Sequence, residues 1–318
     1  MRNRIARRIG GSLLAVGFTL SVIMTALPQP AAQAVGGWQR SMLVYHSDSR
    51  SSAAWQRHLM RFNADGSFNG QWLFDAAVLT SRFINGKDPM YDKLNGTDIQ
   101  QLLDVTFADA SALASAAASL VAQFGPPPAK IQTAITVPWF NPNVHDLQLP
   151  GLSPLDMANP TDRLVAASWY LDQINSRAQA ANWQHLELYG AYYHREDASD
   201  AWGDPSFLQG FNAAAHNRGL KTVWVPYYDA PQVWNGAGLG FDVTNVQPRY
   251  SFLSALDGGE VNGGRLYGAG YKAAGLGQAI EYELRGRGGS QTENWIAHQY
   301  LTGLHPSPTS HAVVGFRF

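Results

Sequence analysis

The segment His185-Leu186-Glu187-Leu188-Tyr189-Gly190-Ala191-Tyr192-Tyr193-His194-Arg195-Glu196-Asp197 joins a predicted buried strand to a cluster of aromatic and charged residues. Strand side chains alternate, which predicts two faces: Leu186, Leu188 and Gly190 on one, and Glu187, Tyr189 and Ala191 on the other. A carboxylate within such a strand is unusual because burying an unpaired charge is costly. The polar residues after Gly190 are predicted to lie where the strand leaves its sheet.

Seven further apolar segments resemble this strand. Together the eight predicted strands cover residues 41–46, 72–80, 131–140, 185–189, 220–229, 241–250, 278–284 and 311–318. Helix signals separate most of them, including an N-cap at Thr97-Asp98, Pro160 at a helix start, and Asp204-Pro205 followed by Gly219. Helices are predicted over residues 98–124, 160–181, 204–218, 263–274 and 293–301.

Eight strands that alternate with helical segments predict an α/β fold, a (β/α)8 TIM-type barrel. A doubly wound open sheet is the alternative, but it normally has fewer strands and often a Gly-rich first turn, which the sequence lacks. Two features depart from the barrel pattern. Residues 55–62 suit a short helix or a hairpin arm. The chain also stops at the eighth strand, so either the barrel closes without its last helix or the sequence is a piece of a longer protein.

Composition excludes several functional classes. The 318 residues carry a net charge of −1, which gives no reason to expect a nucleic acid partner. Charged residues make up only 15%, whereas there are 10 Trp, 13 Tyr and 14 Phe, a balance that suits carbohydrate, whose C–H faces stack on aromatic rings. The absence of cysteine excludes thiol nucleophiles and cysteine metal sites.

Residues 1–34 have the pattern of a secretory signal. Arginines at positions 2, 4, 7 and 8 precede a short apolar run over 13–27, and Ala32-Gln33-Ala34 is a small-x-small cleavage site. Cleavage is predicted after Ala34, leaving a secreted protein with a single barrel domain over 35–318 and no stable membrane insertion. An uncleaved membrane anchor is the alternative.

Six sequence blocks carry a resemblance to a known family. They are Leu43-Val44-Tyr45-His46, Trp72-Leu73-Phe74-Asp75, His185-Leu186-Glu187-Leu188, Trp224-Val225-Pro226-Tyr227-Tyr228, Phe241-Asp242-Val243 and Ala279-Ile280-Glu281-Tyr282. In this order they resemble the bacterial family known as domain of unknown function 4855. The resemblance implies a glycoside-hydrolase-type barrel among secreted carbohydrate-processing proteins. It matches most closely at Glu187, Gly190, Tyr192, Glu196, Tyr227, Tyr228, Gln247, Pro248 and Glu281, and it departs at Ala279, where the family commonly has Glu.

Acidic residues near the ends of the fourth and seventh strands are the candidate catalytic groups. Glycoside hydrolysis usually needs two carboxylates, and these two strands face each other across an eight-stranded barrel. Glu281 is predicted as nucleophile or base and Glu196 as general acid, with Glu187 as an alternative acid if it is buried. Each also has a structural interpretation: Glu187 and Glu281 as core carboxylates, and Glu196 as a solvated loop charge.

Polar and aromatic residues at the other strand ends are the candidate substrate-binding groups, because they would orient sugar hydroxyls and stack on sugar faces. The alternative is that these rings only fill the rim of the barrel. The predicted binding residues are Tyr45, His46, Asp75, Tyr192, Tyr193, His194, Tyr227, Tyr228, Asp229, Asn245, Gln247 and Trp139. Trp139, Trp202 and Trp234, each after a strand, are the predicted stacking platforms.

Other chemistries have weaker support in the sequence. His46, Asp48, His194 and Asp229 would have to converge to bind a metal, and no His-x-His or His-Glu-x-x-His motif is present. No Gly-x-Ser-x-Gly motif points to a serine esterase. We therefore predict a carbohydrate-cleaving enzyme without cofactor or metal. The alternatives are a non-catalytic glycan-binding barrel and a metal-dependent hydrolase or deacetylase.

Overall fold

Eight parallel strands are hydrogen-bonded side by side in an order that closes on itself. The computed structural model describes residues 37–38, 40–249, 263–284 and 312–316, with backbone only for 263–264, 283–284 and 312–316. The parallel strands are β1 (Ser41–Tyr45), β4 (Ala76–Thr80), β5 (Ile131–Val137), β6 (Leu186–Tyr193), β7 (Lys221–Trp224), β8 (Val243–Val246), β9 (Ala279–Leu284) and β10 (Ala312–Phe316). Seven of the eight predicted strands contain one of them, and the predicted strand over 185–189 overlaps β6, which continues to Tyr193.

Helices occupy the connections between most of these strands. They are α1 (Ser52–Leu59), α2 (Gly96–Phe124), α3 (Pro160–Ala181), α4 (Asp204–His216), α5 (Gly236–Leu239) and α6 (Gly263–Gly275). The cap of α2 is Asn95 rather than the predicted Thr97-Asp98, and Asp98 completes a capping box with it. The predicted helix over 293–301 lies outside the described residues. The described part is therefore a parallel, barrel-like α/β fold.

The first connection contains both of the structures predicted as alternatives. Helix α1 leads directly into an antiparallel hairpin made of β2 (Met60–Phe62) and β3 (Phe68–Trp72). The prediction of one strand over 72–80 was therefore wrong at its start, since Trp72 ends the hairpin and the barrel strand begins at Ala76. As a consequence, Asp75 precedes its barrel strand.

Two apolar layers lie on the two sides of the sheet. The inner layer fills the barrel with side chains from six strands: Leu43, Ala76, Val78, Ala134, Tyr189, Tyr192, Val223, Val225 and Val243, closed below by Trp38. The outer layer packs alternate strand residues, such as Leu79 and Ile135, against α2, α3 and α4. Membership of one layer or the other therefore shows which way a strand residue points.

A bulge in β6 changes which residues point inward. Thr133 of β5 pairs with Leu188 and Ala134 pairs with Gly190, so Tyr189 is the extra residue. Gly190 is required there because a Cβ atom would lie 1.8 Å from the carbonyl oxygen of Lys221. After the bulge, Tyr192 points into the barrel, whereas Ala191 and Tyr193 belong to the outer layer.

The strand register climbs as it passes around the barrel. The paired residues can be followed from strand to strand once around the barrel if the β6–β7 and β8–β9 pairings are extended by a few residues. One such circuit of paired residues passes through Glu187, Gln132, Ala76, Ser41, Val313, Glu281, Gln247, Tyr227 and Glu196. The circuit starts and ends on the β6 segment nine residues apart, and one of these is the bulge residue. The net offset of eight is the stagger of a TIM-type barrel.

Helix α2 is long and apolar enough, by length and composition alone, to cross a membrane. In the fold, 44% of its most apolar window is buried. Side chains such as Leu103, Ala110 and Leu113 belong to the outer core layer. Packing of α2 against the sheet accounts for its apolar composition.

Candidate active site

Glu281 points into the barrel near the C-terminal ends of the strands. Its neighbour Ile280 packs outward against Leu266, Ala269 and Ala273 of α6, so alternation along β9 turns Glu281 inward. Only 4% of Glu281 is exposed. In a parallel barrel this end carries the loops that form a functional site, and we call it the mouth.

Tyr192 lies close to both Glu281 and Glu196. It projects inward from β6 and is 1% exposed. Burial raises the pKa of Tyr192 well above its ordinary value, and the nearby Tyr45, Glu196, Glu281 and Tyr91 raise it further. Both carboxylates are therefore close enough to act electrostatically on one buried phenol, which stays protonated at neutral pH.

Two further phenols surround Glu196. Burial, then Glu196 and Asp197, raise the pKa of Tyr91 to about 12. The pKa of Tyr227 is also raised, first by burial and then by Asp197, with Glu196 contributing in the same direction. Tyr227 forms a parallel bridge with Gln247 at the end of β8. Glu196 is thus a half-buried carboxylate among tyrosines at the mouth.

Arg195 fixes the segment that carries Glu196. Its Nε and Nη2 donate to the two carboxylate oxygens of Asp197 at 2.7 and 3.2 Å. Its guanidinium carbon lies 3.9 Å from the centroid of the Trp139 ring and 5.5 Å from that of Tyr91. The bidentate pair orients the loop after β6, and both carboxylate oxygens of Asp197 accept hydrogen bonds from Arg195.

A buried ion pair also supports the loop after β6. Arg163, in the first turn of α3, pairs with Asp204 in the first turn of α4, and the two side chains are 3% and 0% exposed. Arg163 also donates to the carbonyl oxygens of Phe140 and Trp202. Asp204 accepts from the backbone N–H of Ser199. These bonds connect the loop after β5 with the loop after β6, so they fix the position of the segment that carries Glu196.

Three predicted binding residues form the polar lining just below Glu196. Gln247 is 7% exposed, and its Nε2 donates to the carbonyl oxygen of Val225 at 2.9 Å. Asn245 is fully buried and His194 is 1% exposed. Burial lowers the pKa of His194 to about 3, so this imidazole is neutral. The ring of His194 lies 5.6 Å from that of Tyr192, between centroids.

Two of the predicted site residues lie at the opposite end of the barrel. Glu187 is exposed near the start of β6 and accepts from Gln132 Nε2 at 2.8 Å. Asp75 precedes β4 and accepts from the backbone N–H of Arg40 at 2.8 Å. The prediction that Glu187 is buried near the strand end was wrong, because β6 continues to Tyr193. Neither residue reaches the mouth.

Three others point out of the barrel or are covered. Tyr193 is fully buried in the outer layer, with Phe211 5.8 Å away between ring centroids. His46 follows the inward Tyr45 and points outward, where its Nδ1 lies 3.1 Å from Oδ2 of Asp109 on α2. Trp139 is 4% exposed beneath Arg195. The predicted substrate contacts by these three residues were therefore wrong.

Tyr228 and Asp229 face α6. Asp229 Oδ2 accepts from Arg265 at 2.7 Å, and the Arg265 guanidinium carbon lies 4.2 Å from the Tyr228 ring centroid. Trp234 meets Tyr228 edge-on, and Lys272 lies 4.3 Å above the Trp234 ring centroid. This group forms a wall outside the mouth. Of the three predicted tryptophan platforms, Trp202 is the most exposed, at 40%.

Tyr91 was not among the predicted site residues. It lies in the loop between β4 and α2, is 47% exposed, and its backbone carbonyl accepts from Asn141 Nδ2. Its position in a loop that follows a barrel strand was the available signal. Only the fold brings this loop beside Glu196.

The structure brings no three histidine, aspartate or glutamate side chains together as a metal site within the described residues. Of the four residues considered for such a site, His46 binds Asp48 at 2.7 Å and Asp229 binds Arg265. His194 is enclosed in the barrel. These residues do not converge.

Solved structures with some similarity to the chain include two enzymes. A GH18 chitinase from Pseudoalteromonas aurantia is 10% identical, with a TM-score of 0.46 over 88% of this chain and 94% of that chain. A D-psicose 3-epimerase, solved in the presence of D-fructose, is 11% identical, with a TM-score of 0.42 over 88% and 85%. At this level of similarity neither structure indicates a shared activity. No curated protein matched the chain.

The family resemblance of the sequence blocks is confirmed over most of the chain. The family model described as Domain of unknown function (DUF4855) matches residues 41–308. That range begins at β1 and includes the inward residues Tyr192, Asn245 and Glu281. The chain therefore belongs to the DUF4855 family.

Proposed function

We propose that the protein is a glycoside hydrolase in which Glu196 is the general acid and Glu281 is the nucleophile or base. The supporting observation is that Glu196, after β6, and Glu281, on β9, both lie close enough to the buried hydroxyl of Tyr192 to raise its pKa. Glu187 has no part in this proposal because it lies at the other end of β6. The substrate is an oligo- or polysaccharide, since tyrosines surround the two acids.

The reaction requires one proton donor and one carboxylate on opposite sides of the scissile bond. Glu196 donates its proton to the glycosidic oxygen as the bond to the anomeric carbon breaks. Glu281 either bonds to that carbon or removes a proton from the water that attacks it. Tyr192 remains a neutral hydrogen-bond donor throughout, because its pKa lies well above the working range.

A three-variant assay tests these roles. Glu281→Gln and Glu196→Gln are measured on a panel of glycans by release of reducing ends, with Glu187→Gln as a matched control of the same chemistry. Loss of turnover in the first two variants alone supports the assignment. Unchanged turnover in either removes that residue from the mechanism, and loss caused by a chelator supports a metal-dependent hydrolase instead.

A second candidate is a glycan-binding barrel without catalysis. Two carboxylates near the mouth, Asp197 and Asp229, are already engaged by Arg195 and Arg265, which favours a surface built for recognition. This alternative predicts that the protein binds glycans and releases no reducing ends. Affinity electrophoresis beside the turnover assay separates the two.

We also propose that the protein is secreted and that its eight strands close a TIM-type (β/α)8 barrel that lacks the last helix. The sequence of residues 1–34 supports export, with the mature chain beginning at Val35. The closed strand order and its net offset of eight support the closed barrel. Mass analysis of the exported protein tests the cleavage site, since a retained N-terminus would mean an anchored protein.

A further inference from the structure

Asn245 is buried without a protein partner. It is 0% exposed, and neither Oδ1 nor Nδ2 forms a hydrogen bond to the described part of the chain. Its neighbour Val246 packs outward with Ile280, so Asn245 points into the barrel. A side-chain amide carries two donors and an acceptor, and leaving all of them unpaired in the interior is costly.

His194 has the same property. It is 1% exposed, and neither Nδ1 nor Nε2 has a hydrogen-bond partner among the residues that the structure describes. Its backbone is fixed, since its N–H donates to the carbonyl oxygen of Val137. A neutral imidazole has one donor and one acceptor, and both are unused here.

The strand register places these two side chains in one hydrogen-bonded row, which climbs from β9 to β6. Tyr193 pairs with Trp224, so the next pair is His194 and Val225. Trp224 pairs with Thr244, so Val225 lies beside Asn245, which pairs with Ala279. We call this row of His194, Val225, Asn245 and Ala279 the sub-mouth layer.

Glu281 stands above the β9 end of this row. It follows Ala279 by two residues on the same face of β9 and is 4% exposed. On the β8 side, Gln247 follows Asn245 by two residues, and its amide donates to the carbonyl oxygen of Val225. Gln247 and Glu281 therefore cover the lower part of the row, whereas His194, just after the end of β6, forms its upper end.

We propose that the sub-mouth layer is a buried water-binding site in which ordered water bridges Asn245 and His194 beside Glu281. Buried water typically makes about three hydrogen bonds to polar groups that lack other partners. Asn245 and His194 provide such groups from two strands. The site does not depend on the proposed hydrolase activity, since it follows from burial and register alone.

A high-resolution crystal structure of the protein tests the site directly. Water density is expected within hydrogen-bond distance of Asn245 Oδ1 or Nδ2 and of one His194 ring nitrogen. Side chains that bond each other directly, or a layer with no density between them, would overturn the proposal. This measurement needs no substrate, so it stays separate from any failure to find glycosidase activity.

A double-mutant cycle tests the same site in solution with Asn245→Leu, His194→Phe and the double variant. If water bridges the two residues, each single variant lowers the unfolding midpoint by roughly 2–8 °C and the double variant loses less than the sum. If the layer is dry, replacing Asn245 with leucine raises the midpoint and the two effects add. The second result would overturn the proposal.

The matched control is Thr136→Val, which removes a buried hydroxyl that already has a partner. Thr136 Oγ1 lies 3.0 Å from Thr80 Oγ1, and β5, which carries Thr136, is three strands away from β8, which carries Asn245. Its effect is expected to add to that of Asn245→Leu. Non-additivity of this control pair would mean that the cycle reports general loosening of the barrel and would count against the water bridge.

Discussion

Glu187 and Glu196 belong to the same segment of the chain but occupy opposite ends of the barrel. Glu187 lies near the start of β6, exposed and bonded to Gln132. Glu196 follows the end of β6, half-buried and close enough to influence the hydroxyls of Tyr91, Tyr192 and Tyr227. The residue type is the same, and only its position along the strand differs.

The carboxylates at the lower end, where the strands begin, serve the framework. Asp75 accepts from the backbone of Arg40, and Asp242 accepts from Lys221, His216 and Thr222. Burial acts to raise the pKa of Asp242, but these hydrogen bonds outweigh it and the pKa is lowered. At the mouth, Glu196 instead lies near the phenols of Tyr91, Tyr192 and Tyr227, and Glu281 lies near that of Tyr192. Position relative to the strand ends therefore separates structural acids from candidate catalytic ones.

The largest expected effect comes from exchanging carboxylate for amide at the two ends. Glu196→Gln and Glu281→Gln should each reduce turnover by about 10²–10⁴-fold, because general acid or base catalysis contributes about that much. Glu187→Gln should remain within about twofold of the parent, since its group lies far from the mouth. Turnover on a responsive glycan measures all three.

The comparison fails if Glu187→Gln reduces turnover as much as Glu196→Gln does. Circular dichroism and the unfolding midpoint of each variant serve as the control for folding. A loss of turnover at Glu187 with normal folding would mean that the lower end of the barrel carries the chemistry.

Breaking the Arg163–Asp204 ion pair should lower the free energy of unfolding more than the other substitutions considered. Asp204→Asn leaves Arg163 buried without its partner charge and should reduce the free energy of unfolding by about 3–5 kcal/mol. The matched control is Asp172→Asn, which removes the exposed Arg218–Asp172 pair between α3 and the end of α4. That change should cost under about 1 kcal/mol. Urea unfolding curves measure both, and equal losses would contradict the prediction.

Acid should destabilise the protein through the mouth end. Folded His194 stays neutral to about pH 3, whereas the unfolded chain binds a proton near pH 6.5. The stability gained by keeping this imidazole neutral is therefore complete above pH 6.5 and is lost as the pH falls below it. The loss should approach about 1.4 kcal/mol per pH unit.

His194→Gln removes one of two such titrations, because burial also lowers the pKa of His58 to about 4. The variant should therefore roughly halve the fall in stability between pH 6.5 and 4. His216→Gln, at the lower end, should leave the fall in place, because the His216 side chain is 40% exposed. Denaturant unfolding at pH 7.5, 5.5 and 4.5 compares the three proteins. An unchanged slope in His194→Gln would assign the acid response to His58 or another group.

The smallest expected effect is on substrate binding by Tyr91, at the mouth of the barrel. Tyr91→Ala should raise KM about 2- to 10-fold with little change in kcat, because it removes one stacking surface beside Glu196. Tyr267→Ala on α6 is the matched control, since Tyr267 is 51% exposed and Tyr91 is 47% exposed. Equal changes in KM would show that Tyr91 has no special place at the mouth.

The sequence predicted the barrel strands well because each is an apolar run bounded by helix or turn signals. It also predicted the inward direction of Glu281, since alternation with Ile280 holds along an uninterrupted strand. Boundaries were less accurate. Trp72 seemed to begin the second strand because a short hairpin has the same composition.

Errors in the site came from two causes. The bulge at Tyr189 shifts the alternation, so Tyr193 was assigned to the mouth although it lies in the outer layer. Glu187 was assigned there because β6 was predicted to end at Tyr189, four residues before its observed end. Tyr91 was missed because only long-range packing brings its loop beside Glu196.

The bulge residue in β6 has a consequence for insertions and deletions in the chain. Removing Tyr189 would leave a regular ladder in which Leu188 still pairs with Thr133 and Gly190 with Ala134, so Tyr192 would keep its inward direction. Removing Ala191 while the bulge stays would instead turn Tyr193 toward the lumen and Tyr192 toward the outer layer. The bulge therefore absorbs a one-residue change in length that the rest of the strand does not tolerate without exchanging its two faces.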